Sequence, residues 1–252
     1  MATQRTASAN GNGLPQTPRS ERTSFSQQSS ITPLSWTSLL SARPPRIERS
    51  LTRLGLPYVD LYYIHRLAQV TPSKQTIEAT VQLKEEGEIK YIGLKECSAW
   101  SLWRAHAVHP ISCIQMEYNP FCLNIEPPKH QLLDTAQELG VAVISYSPLG
   151  NRLLSGTFQS KDDFTKPGDI RGSVPWFSDD NFQTNLSILD KIGEIARSKG
   201  VTAAQSTLAW ILSQEGDFFV MPSTTKAHRV AETLGSLEIT VTPEEKAISQ
   251  AL

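Results

Sequence analysis

A chain of 252 residues, 39% of them hydrophobic, can bury one substantial core, either as a single α/β barrel or as two small domains. Its net charge of -1 offers no global field for nucleic acid or an anionic membrane, and no apolar run approaches the roughly 20 residues that span a bilayer. Its three cysteines, Cys97, Cys113 and Cys122, are odd in number and lack paired metal-ligand spacing. That usage predicts reduced, buried thiols, no metal centre and a cytoplasmic protein.

Residues 1–46 differ from the rest. Fourteen of the first forty residues are Ser or Thr, with Gln, Pro and Gly between them. This composition predicts a disordered segment, with only Leu34 to Leu40 able to form a helical turn or two. Six arginines against two glutamates give residues 1–50 a charge of +4, leaving -5 for the remainder. The Arg- and Ser-rich, acid-poor start is similar in composition to a mitochondrial transit peptide, but Gly11, Gly13, Pro15 and Pro18 interrupt any amphipathic helix there.

A folded domain is expected over residues 47–252. Ile47, Leu51 and Leu54 follow helical spacing, with Gly55 as the stop. Tyr58 to His65 reads as a strand, Lys74 to Gly87 as a helix, and Lys90 to Leu94 as a second strand. Ser98 is placed to cap a helix running to about Val108. A strand at Ile111 to Met116 and a helix at Gln131 to Leu139 follow, and then the β-branched run Val141 to Tyr146, which Pro148 and Gly150 break into a loop. Beyond a long polar loop that includes Asp162-Asp163 and Asp179-Asp180, helices are expected at Asn185 to Lys199 and, capped by Thr202, at Ala203 to Gln214. Phe218 to Met221 is the last strand, and helices at Ala227 to Leu234 and Pro243 to Ala251 close the chain.

Strand and helix alternate five times through short connections, which means a parallel sheet with right-handed crossovers. A closed barrel and an open doubly wound sheet both satisfy that pattern. No G-x-G-x-x-G turn follows any strand, so the usual open-sheet dinucleotide site is missing and the barrel is favoured. The run Val141 to Gly150 then places Tyr146, with Ser145 and Ser147, at the carboxyl end of a buried strand, where such folds keep their chemistry.

Six ordered blocks carry a resemblance. They are Ser50 to Gly55, Tyr58 to Arg66 (YVDLYYIHR), Gly87 with Lys90 to Leu94 (KYIGL), Ile114 to Tyr118 (IQMEY), Ser145 to Gly150 (SYSPLG), and Pro222 to Lys226 (PSTTK) with Arg229 and Glu232. In order and spacing the chain from about Ile47 onward resembles the aldo-keto reductases. The resemblance implies a (β/α)8 TIM-type barrel of which strands 4 to 8 are recognisable here and the first three have no counterpart. It also implies NADP(H) bound at the carboxyl ends of the strands and hydride transfer with a small carbonyl or alcohol substrate.

Of that family's working set of Asp, Tyr, Lys and His, the resemblance finds only the histidine, as His65. An imidazole at a strand's carboxyl end can orient a carbonyl or assist proton transfer, because it titrates near neutrality. The resemblance assigns Gln115 to the nicotinamide carboxamide, Tyr146 to the face of the nicotinamide ring, and Ser147 and Leu149 to the phosphate bridge. Ser223, Thr224, Thr225 and Lys226 lie between the last strand and a helix, where hydroxyls and backbone N–H groups favour an anion on physical grounds alone. Lys226 and Arg229 would meet the adenosine 2′-phosphate, and Glu232 and Thr233 the adenine.

One departure stands out: Lys95 occupies the place, after IGL, where the family has a small polar residue beside the carboxamide. A cation there either disfavours the oxidised nicotinamide or points away from it. Tyr63 lies too deep to replace a proton donor and is expected to pack in the core, and His106 and His109 are expected to be solvated. Two functions from different classes follow: a reductase, with a partner chain supplying the remaining acid/base groups, or a catalytically impaired nucleotide-binding or regulatory relative. Half a barrel would leave strand edges at Tyr58 to His65 and Phe218 to Met221, which predicts an oligomer or a partner covering them.

Overall fold

The computed structural model describes residues 45–65, 73–127, 129–156, 169, 179–214 and 216–247. The expectations of disorder before residue 45, of a helical turn at Leu34 to Leu40, and of a loop carrying Asp162-Asp163 lie outside the described residues, as does Arg66.

Five strands form the sheet: β1 (Val59–Ile64), β2 (Ile89–Lys95), β3 (Cys113–Glu117), β4 (Ala142–Tyr146) and β5 (Phe218–Val220). They lie side by side in chain order, and every pairing is parallel. A doubly wound sheet reverses its strand order at a switch point; this one does not, so its winding is that of a barrel. Among the described residues no strand pairs with the outer edge of β1 or of β5. The sheet is therefore an arc of the barrel wall rather than a closed wall.

Side-chain alternation divides the sheet into two faces. Ile64, Ile92, Leu94, Ile114, Val143 and Phe218 share one face and are buried in the core with Leu102, Ala105, Leu132, Ala136 and Ile211 from the helices. Tyr63, Gly93, Cys113, Gln115, Ile144 and Phe219 share the other through the register Tyr63↔Gly93↔Cys113 and Gln115↔Ile144↔Phe219. That face is partly open, with Tyr91 54% and Phe219 55% exposed. Gly93 is needed for space on it: a Cβ there would sit 2.7 Å from the ring of Tyr63.

The helices are α1 (Pro45–Leu54), α2 (Ser73–Glu85), α3 (Ala99–Val108), α4 (Leu132–Glu138), α5 (Asp179–Lys199), α6 (Ala203–Leu212), α7 (His228–Leu234) and α8 (Pro243–Lys246). Local chemistry sets several of their ends. The Ser98 hydroxyl accepts from Ser101 N at 3.2 Å to start α3, and Thr202 and Gln205 form a reciprocal capping box on α6. Gly55, Gly140 and Gly200 take positive φ just past α1, α4 and α5.

Several expected boundaries shift. Helix α6 stops at Leu212 rather than Gln214, because the side chains of Ser213 and Gln214 each donate to Trp210 O at 2.8 Å and take over its carbonyl. Asp179 and Asp180 open α5 instead of lying in a loop. Helix α8 is described only to Lys246. Strand β3 begins at Cys113 rather than Ile111, since its ladder with β2 begins at Gly93↔Cys113. The three cysteines are free, buried thiols.

Candidate active site

Because all five strands run parallel, their carboxyl ends meet at one rim of the sheet. His65, Lys95, Glu117, Tyr146 and Met221 are brought there in sheet order. Lys95 is the register partner of Gln115, and Glu117 that of Tyr146, so these side chains share the open face.

Lys95 points into this rim rather than away from it. Its Nζ lies 3.3 Å from His65 Nε2 and 4.7 Å from the centroid of the Tyr146 ring, a cation–π geometry. An ammonium has only donors, so Nε2 of His65 accepts and the ring proton belongs on Nδ1. In this arrangement the imidazole has no N–H at Nε2 to offer a substrate oxygen.

Tyr146 is half-buried. Its hydroxyl is driven to higher pKa by burial and by the neighbouring Glu96 carboxylate. Glu96 sits at a φ of 52°, and its Oε1 is buried with no hydrogen-bond partner among the described residues. Glu117 is raised above the ordinary carboxylate range, first by burial and then by repulsion from Glu96, while Ser147 and Lys95 pull it down. The rim is thus a cation on the Tyr146 face with two carboxylates near it.

Gln115 is 6% exposed, and its Nε2 contacts Met221 Sδ at 3.8 Å. Deeper on the same face, the Tyr63 hydroxyl accepts from Cys113 Sγ at 3.4 Å, and burial raises the pKa of the phenol. Burial also pushes the Cys113 thiol up to about 11. Tyr63 is therefore a packed residue, as its depth predicts.

The loop after β4 is held in an unusual backbone. Ser147, Gly150, Asn151 and Arg152 all have positive φ, a strain that persists only when the surroundings fix it. Asn119, fully buried, does part of the fixing: its Nδ2 donates to Ser147 O at 3.1 Å and its Oδ1 accepts from Phe121 N at 3.0 Å. The fully buried Ser145 points to the opposite face and donates to Tyr118 O at 2.6 Å. Leu149 leads into the 3₁₀ segment Gly150–Ser155.

Beside this loop, Met221 N donates to Ser145 O at 3.0 Å, so the segment following β5 leaves from next to Tyr146. Ser223, Thr224, Thr225 and Lys226 on it are exposed, with Thr224 Oγ1 accepting from Lys226 N at 3.1 Å. Arg229 is paired with Glu232 at 3.2 Å within α7, so two groups read as separate contacts hold one another here. Thr233 is partly buried in α7, and its carbonyl accepts from Ser236 Oγ at 2.7 Å.

His106 and His109 are partly exposed, as expected, and also finish α3. His106 Nδ1 accepts from Ile111 N at 3.3 Å, and His109 lies between Pro110 O at 2.8 Å and Lys84 Nζ at 3.3 Å. Among the described residues no group of three or more His, Cys, Asp or Glu could hold a metal, and no helix is long and apolar enough to cross a membrane.

The sequence reading missed Glu96, Glu117 and Asn119. Glu117 was within reach, since it lies two residues after Gln115 and must share its face; the positive φ of Glu96 and the reach of Asn119 leave no local signal. As a dinucleotide site the rim offers an aromatic plane, a buried amide behind it, and a loop of hydroxyls, backbone amides and cations alongside. These fit a nicotinamide dinucleotide, with the Lys95 ammonium already over the ring plane.

Residues 44–252 match the Aldo/keto reductase family. The chain is 48% identical over 203 residues to the aldo-keto reductase str7 of Strobilurus tenacellus, covering 81% of this chain and 60% of that protein. It is 39% identical over 204 residues to the aldo-keto reductase yakc [NADP(+)] of Schizosaccharomyces pombe, covering 79% of this chain and again 60% of the relative. The chain thus spans about 60% of the length of these relatives. Among solved structures it superposes on the glycerol dehydrogenase of Gluconobacter oxydans with a TM-score of 0.75 at 26% identity, over 82% of this chain and 62% of that one. An aldo/keto reductase from Klebsiella pneumoniae in complex with NADP and acetate gives 0.64 at 25% identity, over 84% and 64%. With its parallel arc and these relatives in agreement, the chain belongs to the aldo/keto reductase family.

Proposed function

We propose that this chain forms the dinucleotide-binding side of an NADP(H)-dependent reductase site acting on a small carbonyl compound or the corresponding alcohol. The observation that carries this reading is the convergence of His65, Gln115 and Tyr146 on one open face at the carboxyl rim of the sheet. When bound, the dinucleotide supplies or accepts the hydride. Tyr146 presents a flat surface for the nicotinamide, Gln115 has both donor and acceptor for its carboxamide, and Ser147 and Leu149 line the path of the phosphates. Ser223, Thr224, Thr225 and Lys226 offer hydroxyls, backbone amides and charge to the adenosine 2′-phosphate; Arg229 joins them on release from Glu232, which with Thr233 faces the adenine. The NADP in the name of the fission-yeast relative and in the Klebsiella complex supports this choice of dinucleotide.

His65 is the acid/base candidate, and the family resemblance implies that the remaining Asp, Tyr and Lys lie outside the blocks it matches. We read the remaining groups as supplied by a partner that covers the open sheet face, in a cytoplasmic setting without nucleic acid or membrane. A second reading, dinucleotide binding without turnover, is favoured by one specific contact: Lys95 donates to His65 Nε2, the atom that would otherwise serve a substrate.

NADPH fluorescence titration followed by carbonyl-dependent NADPH oxidation tests both. Tyr146→Ala is expected to weaken NADPH binding roughly fivefold to tenfold through lost stacking. Turnover abolished by His65→Ala selects the first reading, and binding without turnover the second. No binding at all defeats both.

A further inference from the structure

Among the described residues, Lys95 is the one cation on the face of the proposed nicotinamide platform. Its Nζ lies 4.7 Å from the Tyr146 ring centroid, and its second anchor, His65 Nε2, is 3.3 Å away. Its register partner is Gln115, so the two side chains leave the sheet on the same face. We infer that Lys95 makes this site discriminate between the two redox forms of the dinucleotide, favouring the reduced form. The inference rests on the dinucleotide-binding reading above.

The reasoning is electrostatic. The oxidised nicotinamide ring carries a positive charge and the reduced ring none, while the rest of the molecule is the same in both forms. A ring seated on Tyr146 brings that charge to within a few ångströms of the Lys95 ammonium, and a long side chain can swing aside only as far as its stem allows. Repulsion at about 5 Å, at an effective dielectric between those of a protein surface and of water, corresponds to roughly tenfold in affinity.

Two carboxylates oppose the effect. Glu96 meets the Tyr146 hydroxyl, at the edge of the ring, and Glu117 is the register neighbour of Tyr146. Both attract a cationic ring, and Glu117 also attracts Lys95. Only the ammonium lies over the ring plane itself, so it dominates the interaction with a stacked ring. Both carboxylates remain in a Lys95 variant, and the comparison between variants isolates the ammonium.

The test is the ratio of two dissociation constants, Kd for NADP+ over Kd for NADPH, measured by calorimetry on the full chain and on Lys95→Met and Lys95→Arg. The ratio is expected to fall roughly tenfold in Lys95→Met, which keeps the stem and removes the charge, and to be retained in Lys95→Arg. An unchanged ratio in Lys95→Met overturns the inference while leaving the dinucleotide site intact. Binding of either form by Lys95→Met alone would mean that the ammonium blocks the platform rather than selecting, and overturns it too. Failure of every variant to bind either form refutes the dinucleotide reading and this inference with it.

Discussion

At the scale of single residues the rim is a contest of charges, and Glu117 shows it most simply. Burial and the nearby Glu96 hold its carboxyl above the ordinary range, so folding favours the neutral form relative to the unfolded chain. Stability associated with the neutral form is present at low pH and is lost as pH rises through the unfolded and then the folded pKa. Glu117→Gln is therefore expected to raise Tm at pH 7 to 8 and to have little effect near pH 4, measured by thermal melts across pH. An equal effect at both ends would assign the change to packing instead. Asn119 is a positioning residue: Asn119→Ala strands Ser147 O and Phe121 N and is expected to cost about 1–3 kcal/mol by denaturant titration. If the strained loop serves the phosphates, the same variant also weakens NADPH binding. Lys95 was recognisable in the sequence as a departure from the family pattern, yet its direction was not. A four-carbon stem reaches either outward or across the rim, and only the neighbouring ends of β1 and β4 decide which.

At the scale of elements, much was legible because local chemistry governs it. Ser98, Thr202 and Thr242 act as caps through side chain to backbone bonds that a sequence displays directly. Thr202→Ala removes one half of the α6 capping box and is expected to destabilise by about 1 kcal/mol. Packing between strands is less visible. Gly93 reads as an ordinary glycine in KYIGL, but across the β1–β2 ladder it faces the Tyr63 ring. Gly93→Ala is expected to cost about 1–3 kcal/mol by overpacking, read in urea melts, with partial rescue by Tyr63→Leu. The end of α6 escaped the sequence reading because the competing side-chain bonds to Trp210 O depend on how the chain arrives.

At the scale of the molecule, the parallel arc has two strand edges that no described residue pairs with, and a partly apolar inner face. Tyr91 and Phe219 stand on that face more than half exposed. Such surfaces invite association. The protein is expected to show concentration-dependent oligomers in light scattering that Phe219→Ser shifts toward monomer; a sharp monomer at all concentrations, with a cooperative melt, would count against this. By itself the sequence determined the family, the order of five strands and most helix ends. It could do so because period, caps and ordered motifs are local properties. Only the tertiary structure decided that Lys95 lies over Tyr146 and holds His65 Nε2, and that the loop after Tyr146 is held left-handed by Asn119. Each of those depends on where a side chain's end lands after distant segments meet, and no spacing along the chain encodes that.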